Sequence, residues 1–152
     1  MNVHLDSIIN DGTATLLSRA YVDPATRLAL ILGTGFNAAA VLPVSVFHKQ
    51  KFGIRPQSWH DQAKHVLVNT EMSMFGKGIL PVTRWDDHLN LVHLHPDFQP
   101  FEHRLGGRYL GEIVRLILVE AIEQYELFGG KYPAGLAEPY SLECGALAAI
   151  DA

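Results

Sequence analysis

Cysteine is almost absent from this chain. Cys144 is the only one among 152 residues, which excludes an internal disulfide framework and fits a reducing compartment. Long apolar runs are missing too. The longest nearly apolar stretch, Leu28 to Leu32, is far short of the roughly 20 residues that cross a bilayer. There is no excess of positive charge either: 12 Lys and Arg stand against 16 Asp and Glu, a formal net charge of −4. That removes the electrostatic reason to expect nucleic acid or an anionic membrane as partner. The first residues carry Asp6, Asn10 and Asp11 where a secretory leader has a basic and then an apolar region. The expectation is a cytoplasmic protein. What the chain has in quantity is apolar side chains, 48% of the total. That is too apolar for disorder, and at this length it predicts one globular domain over residues 1–152 with its own core.

The stretch from Ile8 to Thr15 organises the functional reading. Leu5 to Ile9 reads as a short strand, Asn10-Asp11-Gly12 punctuates it, and Ala14, Leu16, Leu17, Ala20 and Tyr21 recur at helical spacing. Asn10 and Asp11 therefore sit where a strand stops and a helix begins, the place where α/β sheets bind ligands. The helix start offers free N–H groups and partial positive charge. A carboxylate there can serve as a general base if a substrate hydroxyl comes within hydrogen-bond reach. Asp is also a favoured N-cap, and caps far outnumber catalytic bases, so the residues alone leave both roles open.

Further along, Arg27 to Leu32 predicts a buried strand and Asn37 to Leu42 a second one. Gly33-Thr34-Gly35 between them reads as a plain hairpin turn or as a turn whose backbone a ligand can approach. Pro43 to Ala63 has no sustained period and predicts a long loop with one helical turn at Trp59 to Lys64. His65 to Thr70 alternates and is β-branched, a strand that delivers Glu71 at its end. Trp85 to Val92 predicts a short helix with Trp85, Leu89 and Val92 inward. His88, His93 and His95 invite a metal reading. No Cys, Asp or Glu completes a zinc ligand set at the usual spacing, so they read as surface-loop histidines and no metal ligand is assigned. Phe101 to Phe128 is the strongest helical signal: Leu110, Ile113, Val114, Ile117, Leu118, Ala121, Ile122 and Tyr125 form one apolar stripe, with Glu112, Glu120, Glu123 and Gln124 opposite. Gly106, Gly107 and Gly111 interrupt it, which points to close approach by a sheet or ligand. Ser141 to Asp151 reads as the start of another helix.

Five segments carry a resemblance in order and spacing: INDGTATLLSRAY from Ile9, LALILGTGFNAAAV from Leu28, VNTEMSMFG from Val68, ILPVTRWD from Ile79 and FEHRLGGRYLGEIVRLIL from Phe101. Together they resemble the hexokinase family from about Val3 to Ala152. The LP-x-T-x-[YW]-D segment is most similar to fungal hexokinases. The resemblance implies an α/β, ribonuclease H-like (actin-like ATPase) fold, with three antiparallel strands followed by helix-connected parallel ones. The chain would be part of the large, C-terminal domain.

The resemblance also implies roles. Asp11 matches the base that takes the proton from a hexose 6-hydroxyl. Asn10, Asn37, Glu71 and Glu102 match sugar ligands, and carboxylates and carboxamides do supply the paired donors and acceptors a polyol needs. Gly33, Thr34 and Gly35 match a turn that faces the phosphates of ATP. The implied activity is ATP- and magnesium-dependent phosphorylation of glucose or a related sugar such as N-acetylglucosamine. Two departures from the pattern, Phe36 and Met72-Ser73-Met74, permit an alternative: a hexokinase-like sugar sensor without turnover. The family's first phosphate loop, its small-domain Thr-Lys pair and its adenosine motif have no counterpart here. The 152 residues alone are therefore expected to be inactive and, with apolar faces uncovered, to self-associate.

Overall fold

In the structure, a computed structural model that describes residues 8–150, the first regular element is helix α1, Asp11–Val22. Asn10 is its N-cap, and the Asn10 side-chain oxygen accepts from the Gly12 and Thr13 amides. Asp11 is thus the first helical residue and not the cap. The strand expected over Leu5–Ile9 lies, for residues 5–7, outside the described residues, and Ile8 and Ile9 stand outside any strand.

Strands β1 (Leu28–Leu32), β2 (Phe36–Pro43) and β3 (His65–Asn69) follow the predicted segments closely. They form one sheet in the order β1-β2-β3. The β2–β3 pair is antiparallel, in register from Ala39 opposite Asn69 to Pro43 opposite His65. α1 packs on β3, and Leu16 is fully buried, as are Ala38 and Ala39 of β2. A Cβ on Gly12 would sit 3.7 Å from the Ala39 methyl, so small residues on both sides let the helix start close to the sheet. β1 departs from the buried strand expected: Leu28, Leu30 and Leu32 are all more than half exposed. Among the described residues no element packs over that side of β1, and a run of leucines cannot by itself report whether a second layer is present.

The segment from Pro43 to Ala63 is more ordered than its composition predicts. Helix α2 spans Gln57–Gln62. The rings of Phe47 and Phe52 lie 5.8 Å apart and those of Phe52 and Trp59 5.0 Å apart. Three aromatics spaced irregularly in sequence make a cluster that no helical or strand period reveals.

The chain divides into two compact units. One holds residues up to Ile31 and Asn37–Glu71, the other Leu32–Phe36 and residues from Met72 onward. The second unit is helical: α3 (Arg84–Val92), α4 (Glu102–Leu105), α5 (Gly107–Tyr125) and α6 (Cys144–Ile150). α3 begins with a reciprocal cap between Thr83 and Asp86. Leu89 is buried as predicted, but Val92 is exposed.

The single long helix expected from Phe101 is two helices. Gly106 breaks it with ψ 131, and a Cβ there would stand 2.9 Å from the Glu102 carbonyl oxygen and 3.0 Å from that of Thr34. Gly111 meets a tighter limit, since a Cβ would fall 1.9 Å from the Leu142 carbonyl oxygen. The glycines in the motif therefore mark close backbone approach, by the turn at Thr34 and the loop at Leu142 where the sequence predicts a sheet or a ligand.

The polar face predicted for α5 is wrong at Glu112. Glu112 and Arg115 are only 5% and 6% exposed. Arg115 donates through Nε and Nη2 to the two Glu112 carboxylate oxygens at 2.7 Å each, and through Nη1 to the Leu136 carbonyl at 3.0 Å. The Tyr140 amide donates to Glu112 Oε2 at 2.6 Å. The two ions meet through a pair of parallel bonds and each makes a further bond to the backbone, which is what burying ions without leaving a charge unpaired requires. Tyr125, expected inside, is exposed, because the helix ends there and Glu126 turns left-handed with φ 55.

Candidate functional site

In the first unit the end of β3 and the start of α1 supply the predicted polar residues. Thr70 is fixed twice on one acceptor: its amide and its hydroxyl both donate to the Ala38 carbonyl, at 3.0 and 2.8 Å. The chain then turns left-handed at Glu71, φ 47. A non-glycine residue there carries a steric cost of about 1–2 kcal/mol, and such costs gather at functional positions. The turn folds the Glu71 carboxylate back over the strand it has just left, where Asn69 Nδ2 donates to Glu71 Oε1 at 2.5 Å. Asn69 Oδ1 in turn accepts from Asn37 Nδ2 at 2.8 Å, and Asn37 Oδ1 accepts from the Ala38 amide at 2.8 Å.

Gly12 joins this set to the helix start. A Cβ on Gly12 would lie 3.1 Å from Asn10 Oδ1 and 3.7 Å from Asn37 Nδ2. Asn10 commits its side-chain oxygen to the cap, and its Nδ2 donors have no partner among the described residues. Asp11 is exposed and uses one oxygen, Oδ1, to accept from the Gly12 amide at 2.8 Å. Its second oxygen has no partner among the described residues. The first unit thus brings Asn10, Asp11, Asn37 and Glu71 into one polar neighbourhood, tied by Gly12 and Asn69. Asn69 lies inside the quoted VNTE segment, yet sequence reasoning gave it no role. Its signal was its place at the end of an alternating strand, two residues before Glu71.

The second unit holds the other predicted group. Gly33, Thr34 and Gly35 form the turn that follows β1, closed by the Gly33 amide donating to the Gly35 carbonyl at 3.0 Å. The first turn of α5 pins it from outside: the Gly107 amide donates to Gly33 O at 2.7 Å and the Arg108 amide to Thr34 O at 3.2 Å. Glu102 braces it from the other side, where Oε2 accepts from the Phe36 amide at 2.9 Å. A Cβ on Gly35 would meet that oxygen at 2.6 Å, so a larger residue there would push the Glu102 carboxylate off the Phe36 amide. The amides of Thr34 and Gly35 have no backbone acceptor among the described residues, and Thr34 is exposed. Two free N–H groups on a tight turn suit phosphate oxygens. The turn opens onto a cavity of about 820 Å³, whose lining includes Leu32, Arg108, Tyr140 and Cys144. Arg108, a cation facing that cavity, is another residue the sequence reading passed over.

Phe36 and Ser73, two of the residues where the chain departs from the hexokinase pattern, are core residues. Phe36 is 7% exposed, its ring 4.9 Å from that of Phe101. Ser73 is buried, and its carbonyl accepts from the Phe101 amide at 3.0 Å.

The histidines do not all lie in surface loops. The rings of His93 and Tyr109 pack on buried His103 at 4.8 and 4.5 Å. His103 Nε2 has no hydrogen-bond partner among the described residues. Burial pushes its pKa down to about 4, helped by His93 and Arg104 and opposed by Asp86. Among the described residues no three His, Cys, Asp or Glu side chains are grouped as metal ligands.

Comparison with known proteins identifies the family. The hexokinase family model matches residues 27–152. Chloroplastic hexokinase-4 of Oryza sativa subsp. japonica is 34% identical over 150 residues, 99% of this chain and 28% of that protein. Chloroplastic hexokinase-2 of Nicotiana tabacum is 37% identical over 145 residues, 93% of this chain and 27% of that one. Among solved structures, a Schistosoma mansoni hexokinase complexed with glucose superposes with a TM-score of 0.81 at 36% identity, covering 94% of this chain and 31% of that chain. The chain spans 28% of the first of these curated relatives. Its α/β architecture is accordingly part of the actin-like, ribonuclease H-like fold. With the family model covering most of its length and its motif residues standing at helix starts, strand ends and tight turns, the chain belongs to the hexokinase family.

Proposed function

We propose that the protein transfers the terminal phosphoryl group of ATP to the 6-hydroxyl of a hexose, glucose or a close relative, and that residues 1–152 are part of its large domain. The observation that carries this reading is Asp11. It is an exposed carboxylate on the first turn of α1, beside Asn10 and Gly12, with one oxygen held by the Gly12 amide and the other without a partner among the described residues. In the proposed reaction that oxygen takes the hydroxyl proton while the sugar oxygen bonds to the terminal phosphorus. The bond from that phosphorus to the bridging oxygen breaks, and ADP leaves with the electron pair. Asn10, Asn37, Glu71 and Glu102 bind the remaining hydroxyls. The free amides of Thr34 and Gly35 receive phosphate oxygens. Magnesium enters with the nucleotide, where it neutralises phosphate charge.

Burial of Phe36 and Ser73 supports turnover over the alternative of a silent sugar sensor, because those departures fill core space. Met72 and Met74, both well exposed, are what keeps the alternative in view. Affinity to the fungal branch rests on Leu80 to Asp86 alone, and cytoplasmic placement on the sparse cysteine. One experiment separates the two functions. The whole protein is titrated with glucose and N-acetylglucosamine by calorimetry, and ADP release is followed with each sugar. Binding with turnover is the expected result. Binding without ADP release makes the protein a sensor, and no binding removes the sugar site altogether.

A further inference from the structure

We infer that Asn69 is a positioning residue for hexose binding, holding Asn37 and Glu71 in one polarised relay; the inference rests on the sugar-site reading above. Three observations meet at this side chain. Asn69 Oδ1 accepts from Asn37 Nδ2 at 2.8 Å, and Asn69 Nδ2 donates to Glu71 Oε1 at 2.5 Å. The two bonds run in the same direction, donor to acceptor, towards the Glu71 carboxylate. Each bond strengthens the next, since a carboxylate pulling on one end of an amide makes its oxygen a better acceptor.

The relay also settles which way Asn37 faces. A carboxamide can flip by half a turn and exchange its donor for its acceptor. Asn37 cannot do so here, because its oxygen takes the Ala38 amide while its nitrogen meets the Asn69 oxygen. Among the described residues one Nδ2 hydrogen of Asn37 and one oxygen of Glu71 remain for a ligand: a donor and an acceptor presented together, which is the recognition pattern of vicinal hydroxyls. The left-handed backbone of Glu71, φ 47, is the third observation. That conformation brings the carboxylate back to a residue two positions earlier, and the bond to Asn69 offsets part of its cost.

Asn69→Asp tests this with almost no change of shape. An aspartate at 69 still accepts from Asn37 but cannot donate to Glu71 and repels it. In the whole protein the calorimetric dissociation constant for glucose should rise about tenfold or more, the worth of a hydrogen bond to a charged group. Turnover at saturating sugar should change by less than about threefold, because the proposed base Asp11 is untouched. In a Glu71→Gln background the glutamine amide can donate to the aspartate, so the same change should alter affinity by less than about twofold. Loss of equal size in both backgrounds would mean that Asn69 merely supports the fold, and no loss in either would mean that the relay does not matter; each overturns the inference while wild-type binding leaves the sugar site standing. Absence of glucose binding by the wild type would defeat the sugar site and the inference together. Should the variant fail to fold, wild-type side-chain amide NMR decides: the Asn69 and Asn37 NH2 groups must be protected from exchange and must shift on adding glucose, and freely exchanging, unresponsive signals overturn the proposal.

Discussion

Two buried carboxylates of the second unit and two exposed ones of the first behave in opposite ways. In the second unit Glu112 is buried, and each of its oxygens is bonded by Arg115, one also by the Tyr140 amide. Asp86 is likewise buried, accepting from Arg104 Nη1 at 2.7 Å and from the Thr83 amide at 2.8 Å. In the first unit Asp11 and Glu71 are exposed, and each has one oxygen bonded by a neighbour within two residues. The lesson is that hydrogen-bonding capacity left over after folding, and not charge itself, separates a carboxylate that holds a fold from one that is able to bind a ligand. A saturated carboxylate has nothing to offer a ligand. One held on a single side is oriented and still available.

That contrast can be broken at four places. The largest effect is expected at Glu112. Glu112→Gln leaves the Arg115 charge buried without its counter-ion, and urea unfolding should show a loss of about 3–5 kcal/mol. A loss under about 1 kcal/mol would mean that the pair is idle. His103 comes next. Its pKa in the folded chain, about 4, lies below the ordinary value near 6.5, so between those values the unfolded chain binds the extra proton. Stability should be flat above pH 6.5 and fall as pH drops towards 4, by no more than about 3 kcal/mol for this group. His103→Leu should remove that part of the acid loss, read as urea midpoints at pH 7 and 4.5. His93, Tyr109, Arg104 and Asp86, which surround it, stay in place for the comparison.

The third place is Asp11. If the protein is the kinase proposed, Asp11→Asn in the whole protein should cut turnover by at least about a hundredfold, near 2.7 kcal/mol in the barrier, with glucose binding nearly intact. A rate within threefold of wild type would take Asp11 out of the role proposed for it. The smallest effect is expected at a surface pair. Arg19 and Asp23 approach to 3.7 Å with both side chains well exposed, and Arg19→Ala should move stability by less than about 0.5 kcal/mol. A larger change would show that the first unit relies on its surface charges more than the contrast allows.

Much of this arrangement is legible in the residues. Apolar alternation locates β2 and β3, Asn10-Asp11-Gly12 marks the start of α1, and Pro24 marks its end. The glycines of the last motif announce the close contacts at Gly106 and Gly111. Other features depend on partners distant in sequence, and no local pattern can report those. Glu112 reads as a surface residue because its neighbours, Leu136 and Tyr140, come from a loop more than 20 positions away. Leu28, Leu30 and Leu32 read as core because periodicity records which residues share a face, not whether anything covers it. Asn69 goes unnoticed because an asparagine on a strand end is ordinary until both its bonds are seen.

The contact at Gly111 has a consequence for what substitutions this chain can accept. Leu28, Leu30 and Leu32 of β1 are more than half exposed among the described residues, so no close contact described there fixes the shape of the side chain. At Gly111 the addition of one methyl group is forbidden by an oxygen 1.9 Å away, and that oxygen belongs to backbone, which cannot swing aside as a side-chain tip can. The permitted alphabet at that position therefore has a single letter. It is set by volume alone, with no part in binding or chemistry. A substitution scan read only for loss of activity would mark Gly111 beside Asp11 as essential. Parallel measurement of folded yield would part them: the glycine should lose both, and the aspartate only one.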